Sequence, residues 1–171
     1  MNIQFESDLG YQDRAIASIV DIFEGQEVCQ SNFSIVRQQT KGQKTTADFN
    51  DLGIGNRLEL LDDEILANVQ NIQLRNGLPQ SKKLTSMDFS IEMETGTGKT
   101  YVYLKSIFKM NKRYGFTKFI IVVPSIAIKE GTKKTLEITS EHFKTLFDNV
   151  NYDSFVYDSS NLEQVRDFAT S

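Results

Sequence analysis

Apolar positions recur along the chain with two periods. Gln12, Ala15, Ile16, Ile19, Val20 and Phe23 share one stripe of a 3.6-residue helix, with Asp8 as its N-cap and Gly25 as its stop. A second stripe, Leu58, Leu61, Ile65, Val69 and Ile72, predicts another amphipathic helix. Asp62, Asp63 and Glu64 suit its first turn, and Arg75, Gly77 and Pro79 its end. A third helix covers 99–110, with Tyr101, Leu104, Ile107 and Phe108 facing inward, and Gly115 ends the connection. The other period is two: Phe89, Ile91 and Met93 alternate through 88–93, as in a strand. The run 118–124 is nearly all apolar and predicts a strand buried on both faces, hence central and parallel. Residues 154–157 read as a third strand, and Leu162, Val165, Arg166 and Phe168 begin another helix. The polar stretch 24–57, broken by Gly25, Gly42, Gly53 and Gly55, reads as loop, with a short strand at 32–36 and a mobile tip at 40–46. The expected fold class is therefore α/β, with a mainly parallel central sheet flanked by helices.

The junction between the first strand and the third helix carries the chemistry. It reads Met93-Glu94-Thr95-Gly96-Thr97-Gly98-Lys99-Thr100. Strand, Gly-rich turn, then helix is the setting of a phosphate-binding loop. Gly96 and Gly98 allow a sharp turn and close approach of backbone N–H groups to phosphate oxygens, at the positive end of the helix dipole. Lys99 reaches the outer phosphates, and the Thr100 hydroxyl is a ligand for Mg²⁺. Met93 stands where G-x-x-x-x-G-K-[ST] has its first Gly. Nucleotide kinases and small GTPases mostly keep that Gly, whereas superfamily-2 helicases and translocases accept a substitute. A Gly-rich turn without a ligand is the bland alternative.

Upstream, Tyr11-Gln12 opens the first helix. A Gln amide offers a donor and an acceptor, as does the edge of adenine, and Phe5, Leu9 or Tyr11 supplies a surface for the ring. Downstream, Pro124-Ser125 follows the apolar strand, at the sheet edge where open α/β folds bind ligands. A hydroxyl, backbone N–H groups and Lys129 there suit a phosphate; a plain strand-to-helix turn through Ile126, Ala127, Ile128 and Gly131 is the other reading. His142, the sole histidine, has no Cys or second His near it and suits a surface or capping role. Asp62-Asp63-Glu64 follows no apolar strand, so it is read as a helix start rather than a metal site.

Composition changes this picture in one respect. The 171 residues suffice for one domain with a core, and the net charge of −4 conceals an asymmetry. Residues 99–145 carry +7 and the remainder −11. A basic segment beside a phosphate loop suits nucleic acid, or equally a set of solvated helix faces. A single cysteine, Cys29, suits a reducing cytosol. The acidic start lacks the apolar core of a signal peptide, and the run 119–123 is too short to span a bilayer, so no membrane association is expected.

Together these stretches resemble the amino-terminal part of the Res subunit of type III restriction enzymes. The resemblance rests on Tyr11-Gln12 through Ile16, on Ile91 through Thr100 with Tyr101-Val102-Tyr103 after it, and on Phe119 through Ile128. Met-Glu and Tyr-Val-Tyr around the loop are more than a generic phosphate loop needs. The resemblance implies a superfamily-2, RecA-like ATPase of the prokaryotic cytoplasm. In the full-length protein it would couple ATP hydrolysis, with Mg²⁺, to movement on and cleavage of double-stranded DNA, beside a modification (methyltransferase) subunit. By position, Gln12 would contact adenine, and Thr95, Gly96, Thr97, Gly98, Lys99 and Thr100 would bind the phosphates and Mg²⁺. Lys99 and Thr100 would serve catalysis, and Pro124, Ser125 and Lys129 would touch the DNA backbone as motif Ia.

The expected organisation is a segment 1–87, with the Gln-motif helix, a polar insertion and the second amphipathic helix, then 88–171 as the first part of the ATPase domain. No D-E-x-[HD] motif, arginine finger or nuclease constellation follows the loop. Asp158 is the nearest acid at the end of an apolar run, so these residues alone are expected not to turn over ATP. Two other readings stay open: a different superfamily-2 translocase or helicase (type I restriction or repair), and a nucleotide-binding regulatory module without a motor. Met93 and the turn after Pro124 argue against a nucleotide kinase.

Overall fold

Apolar stripes at helical spacing become stable helices when they bury one another, and four helices of eleven residues or more stand among the described residues. The computed structural model describes residues 9–28, 56–158, 163–165 and 168. Its elements are α1 (Gly10–Val20), a 3-10 turn (Asp21–Phe23), α2 (Asp62–Arg75), α3 (Lys99–Tyr114) and α4 (Ile126–Leu146). Asp8, Phe5, the strand expected at 32–36, the tip at 40–46, Cys29, Leu162 and Arg166 lie outside the described residues.

The first stripe behaves as its spacing dictates. Ile16 and Val20 are buried with Val102, Tyr114 and Phe116 of the α3 region, and Ala15, Ile19 and Phe23 pack against them. The Tyr114 hydroxyl donates to the Val20 carbonyl at 3.1 Å. The Phe23 ring meets Phe116 edge-on at 5.4 Å. At the end of α1 the Asp21 carboxylate accepts from Arg75 of α2 at 3.0 Å and from Arg113 of α3 at 2.8 Å. One acid thus ties three elements together.

α2 begins and ends on local chemistry. The Glu64 carboxylate accepts from the Leu61 N–H at 2.8 Å, relieving an orphan donor of the first turn. At the other end Gly77 takes φ 69°. That conformation lets the Leu78 N–H reach the Gln73 carbonyl at 2.8 Å and the Gly77 N–H reach Leu74 at 3.1 Å. α4 is capped by Ser125, whose Oγ accepts from the Ile128 N–H at 3.3 Å. The helix then runs through Gly131 to Leu146. A second apolar cluster, Leu104 and Phe108 of α3 with Phe143 and Phe147, fastens α3 to α4.

The expected α/β fold with a mainly parallel central sheet is not what forms. Among the described residues there is no strand, and segments 88–93, 119–123 and 154–157 carry no ladder pairing. The run expected to be buried on both faces has Ile120 78% and Val122 88% exposed, while Phe119 leans on the α1–α3 core. The physical reason is that an alternating or apolar run becomes a strand only beside a neighbour that takes its backbone bonds. Here the Asn56 side chain accepts from the Thr117 and Lys118 N–H groups at 2.8 and 3.1 Å, and no ladder partner does.

Phe143 is fully buried between the rings of Tyr101, Phe108 and Phe147. Phe143→Ala should cost roughly 3–5 kcal/mol in urea unfolding. Asp21→Ala, whose arginine partners are half-exposed, should cost about 1 kcal/mol. Equal losses would contradict this division between ring packing and the ion-pair node.

Candidate nucleotide-binding site

The loop before α3 makes a close turn that only glycine tolerates at two points. Gly96 and Gly98 both take φ 82°, the left-handed region that side chains disfavour. Inside the turn the Thr97 hydroxyl donates to the Glu94 carbonyl at 2.7 Å. The Gly98 carbonyl accepts from the Val102 N–H at 3.0 Å, the first bond of α3. The N–H groups around Lys99 are therefore those of a helix start, without intrahelical partners. They coincide with the positive end of the α3 dipole.

Gln12, the polar member of the α1 stripe, holds this loop from behind. It is 8% exposed, and its Nε2 donates to the Thr97 carbonyl at 2.9 Å. A trans peptide points its C=O and its N–H in opposite directions. With the Thr97 carbonyl turned to Gln12, the Gly98 N–H is turned to the other side. The fit is tight: a Cβ on Gly98 would stand 2.6 Å from Gln12 Nε2. The sequence reading expects Gln12 to contact adenine; the bond from Gln12 to the Gly96–Gly98 turn is a contact it did not include. Donation from Nε2 leaves Oε1 as an acceptor with no partner among the described residues.

Lys99 is exposed at the first turn of α3 and has no ion pair among the described residues, and Thr100 beside it is half-buried. Thr95, Gly96 and Thr97 line a groove of about 1880 Å³ that also takes in Tyr11 and Arg14 of α1. Tyr11, one turn from Arg14 on the same helix, is 42% exposed there. Arg14 was not singled out by sequence; its sole signal was its place two residues after Gln12. Pro124, Ser125 and Lys129 stand at the start of α4 and do not line this groove. Lys129 lies 3.4 Å from Glu130.

The charges of the basic segment are partly spoken for. Lys105 pairs with Asp13 at 3.2 Å, Lys112 with Asp148 at 2.7 Å, and Lys134 and Lys144 with Glu137 and Glu141 on their own helix. His142 is half-buried, and its Nε2 lies 2.9 Å from the Tyr101 hydroxyl. Burial, then the nearby Lys105 charge, holds its imidazole below the usual value of 6.5. Asp158 is exposed at the end of its segment. Among the described residues no three His, Cys, Asp or Glu side chains gather where they would hold a metal. No described helix is long and apolar enough to cross a membrane.

Comparison with known proteins gives a consistent result. A family described as "Type III restriction enzyme, res subunit" matches residues 10–165. The EcoPI Res subunit of Escherichia phage P1 is 32% identical over 145 residues, 82% of this chain and 14% of that protein. The EcoP15I Res subunit of Escherichia coli is 44% identical over 92 residues, 51% of this chain and 10% of that protein. The StyLTI Res subunit of Salmonella typhimurium is 42% identical over 64 residues, 36% of this chain and 6% of that protein. The chain thus spans at most 14% of the length of these relatives.

The brace has a measurable signature. Gly98→Ala should destabilise the chain by roughly 1–2 kcal/mol from its left-handed backbone alone, and by more because of Gln12. Combining it with Gln12→Ala removes the collision but not the backbone strain. Urea unfolding of the two single variants and the double should therefore show clear non-additivity, with the double less damaged than the sum. Strict additivity would mean that Gln12 does not press on the loop.

Proposed function

The chain belongs to the family of type III restriction enzyme Res subunits, and from that membership we propose that it carries the ATP-binding part of a DNA-translocating restriction motor. The observation that carries the reading is the Gln12 brace behind the Gly96-Thr97-Gly98 turn. Its Oε1, without a partner among the described residues, would accept a hydrogen bond from the amino group of adenine. Guanine presents an oxygen acceptor at that place, so the same atom repels it. Tyr11 gives the ring a face to lie on, and the groove joins it to the phosphate loop.

The loop's N–H groups and the α3 dipole hold the triphosphate, and the Lys99 ammonium, without an ion pair among the described residues, adds a charge-assisted contact to the outer phosphates. Thr100 is the residue that would hold Mg²⁺, which, when bound, neutralises charge on the transferring phosphoryl group. Lys99 and Thr100 position and neutralise; phosphoryl transfer asks for little covalent help from a protein. An acid to order the attacking water and an arginine finger are not evident in these 171 residues. The chain alone therefore binds ATP without useful turnover, and Asp158 is the acid to test against that statement.

Double-stranded DNA is the proposed track. Pro124, Ser125 and Lys129 stand exposed or half-exposed at the N-terminal end of α4, where backbone N–H groups and the dipole favour a phosphate. Ser125 Oγ accepts from Ile128, which leaves its own proton for a phosphate oxygen. In the full-length protein this motor would move on and cut DNA beside a modification subunit, in the prokaryotic cytoplasm.

Lys99→Ala should weaken binding of a fluorescent ATP analogue by roughly 1.5–3 kcal/mol. Gln12→Ala should lower the preference for ATP over GTP. Equal affinities for wild type and Lys99→Ala would sink the assignment of the loop.

Binding to a random-sequence duplex should fall steeply with salt, because phosphate contacts release counterions. Ser125→Ala with Lys129→Ala should flatten the salt slope by about one unit. A salt-independent affinity would remove DNA from this face.

A further inference from the structure

Tyr101 and Tyr103 follow the phosphate loop at once, yet a phosphate loop has no need of either. Two residues apart on a helix, they point about 200° from each other. Both nevertheless end on α4. The Tyr101 hydroxyl lies 2.9 Å from His142 Nε2, and the Tyr103 hydroxyl lies 2.7 Å from Thr132 Oγ1. Thr132 and His142 are ten residues apart, about 15 Å along that helix. Two fixed points so far apart set both the position and the rotation of α4 against α3.

The surroundings make these joints stiff. The Tyr101 ring stacks on Phe143 at 5.5 Å, with 22° between the planes. Lys105 Nζ sits 5.6 Å from the centre of the same ring and is also paired with Asp13 of α1. Thr132 is 7% exposed and Lys105 8%. A low-exposure hydrogen bond is costly to leave unmade, so these joints resist sliding. At one end of the assembly are Lys99 and Thr100, two residues and one residue before Tyr101. At the other is the start of α4, with Lys129 three residues before Thr132 and Ser125 its cap.

We infer that the Tyr101 and Tyr103 hydroxyls are positioning residues that couple the nucleotide loop to the α4 face that takes the DNA backbone. The inference rests on the function proposed above for the two ends. A shift of the loop and the first turn of α3 on gripping a triphosphate passes to α4 directly, with no flexible segment between. By reciprocity a phosphate backbone seated at the start of α4 alters affinity for nucleotide by the same factor. Phenylalanine at 101 and 103 keeps the ring packing and removes the joints, so binding of each ligand alone is preserved while their mutual effect is lost.

The test is the dissociation constant of a fluorescent ATP analogue for the 171-residue chain, with Mg²⁺, with and without a saturating random-sequence duplex. Wild type should show a ratio of about 5-fold or more between the two conditions. Tyr101→Phe with Tyr103→Phe should bring the ratio to within about 2-fold of one, with each ligand's own affinity within about 3-fold of wild type. Thr132→Val with His142→Leu should do the same from the α4 side, which covers the case of a poorly folding tyrosine variant. His142→Gln, whose amide can both donate to and accept from the Tyr101 hydroxyl, should retain the coupling. A double phenylalanine variant with the wild-type ratio overturns the inference and leaves the proposed function intact. So does a wild type that binds both ligands with a ratio of one. A wild type that binds neither ligand overturns both.

Discussion

A backbone that offers its N–H groups to an anion must dispose of its carbonyls elsewhere, and the Gln12 amide meets that demand. By donating to the Thr97 carbonyl it turns one peptide so that the following N–H faces away from the helix behind. Much else depends on this bond. It requires a residue without a Cβ at position 98, because the amide occupies that space. It requires α1 to lie on α3, and Ile16 and Val20 against Val102 and Tyr114 hold it there. It also requires Gln12 to stay buried, and there its Nε2 has a partner in the Thr97 carbonyl.

The loop is thus supported from two sides. From α1 come the Gln12 brace and the Asp13–Lys105 pair. From α4 come the ring stack on Phe143 and the hydroxyl contacts of Tyr101 and Tyr103. Lys105 belongs to both sides, since its ammonium lies over the Tyr101 ring while it pairs with Asp13. Lys99, exposed at the first turn of α3, is left without an acid among the described residues. That combination of a rigid back and an unpaired front is what a preorganised anion site needs, because binding then costs little reordering.

α1, α2 and α3 were legible in the sequence because a 3.6-residue stripe is a property of the chain itself. The end of α2 was legible too, since Gly77 and the left-handed turn it permits are local. α4 was not, because its buried positions are two threonines and a phenylalanine, Thr132, Thr139 and Phe143, so no apolar stripe announces it. The strands were misread for a deeper reason. Alternation at 88–93 and the apolar run at 119–123 describe what a strand would look like, but a strand is a relation between two segments. Where Asn56 takes the N–H groups at 117 and 118, that relation does not arise. In the site, Gln12 and the glycines stood out from their types and spacing. The Asp21 node and the hydrogen-bond partners of Tyr101 and Tyr103 did not, since they depend on where helices cross.

The central claim is that Gln12 keeps the phosphate loop in its binding form. Hydrogen exchange of the amides at 95–100 tests it most directly, in wild type and Gln12→Ala, with and without Mg²⁺ and ATP. These amides should be slowed by ATP in wild type. Without ATP they should exchange faster in Gln12→Ala than in wild type, and ATP should slow them less, while amides in the middle of α4 stay unchanged. Identical exchange at 95–100 in the two proteins, with equal protection by ATP, would contradict the account.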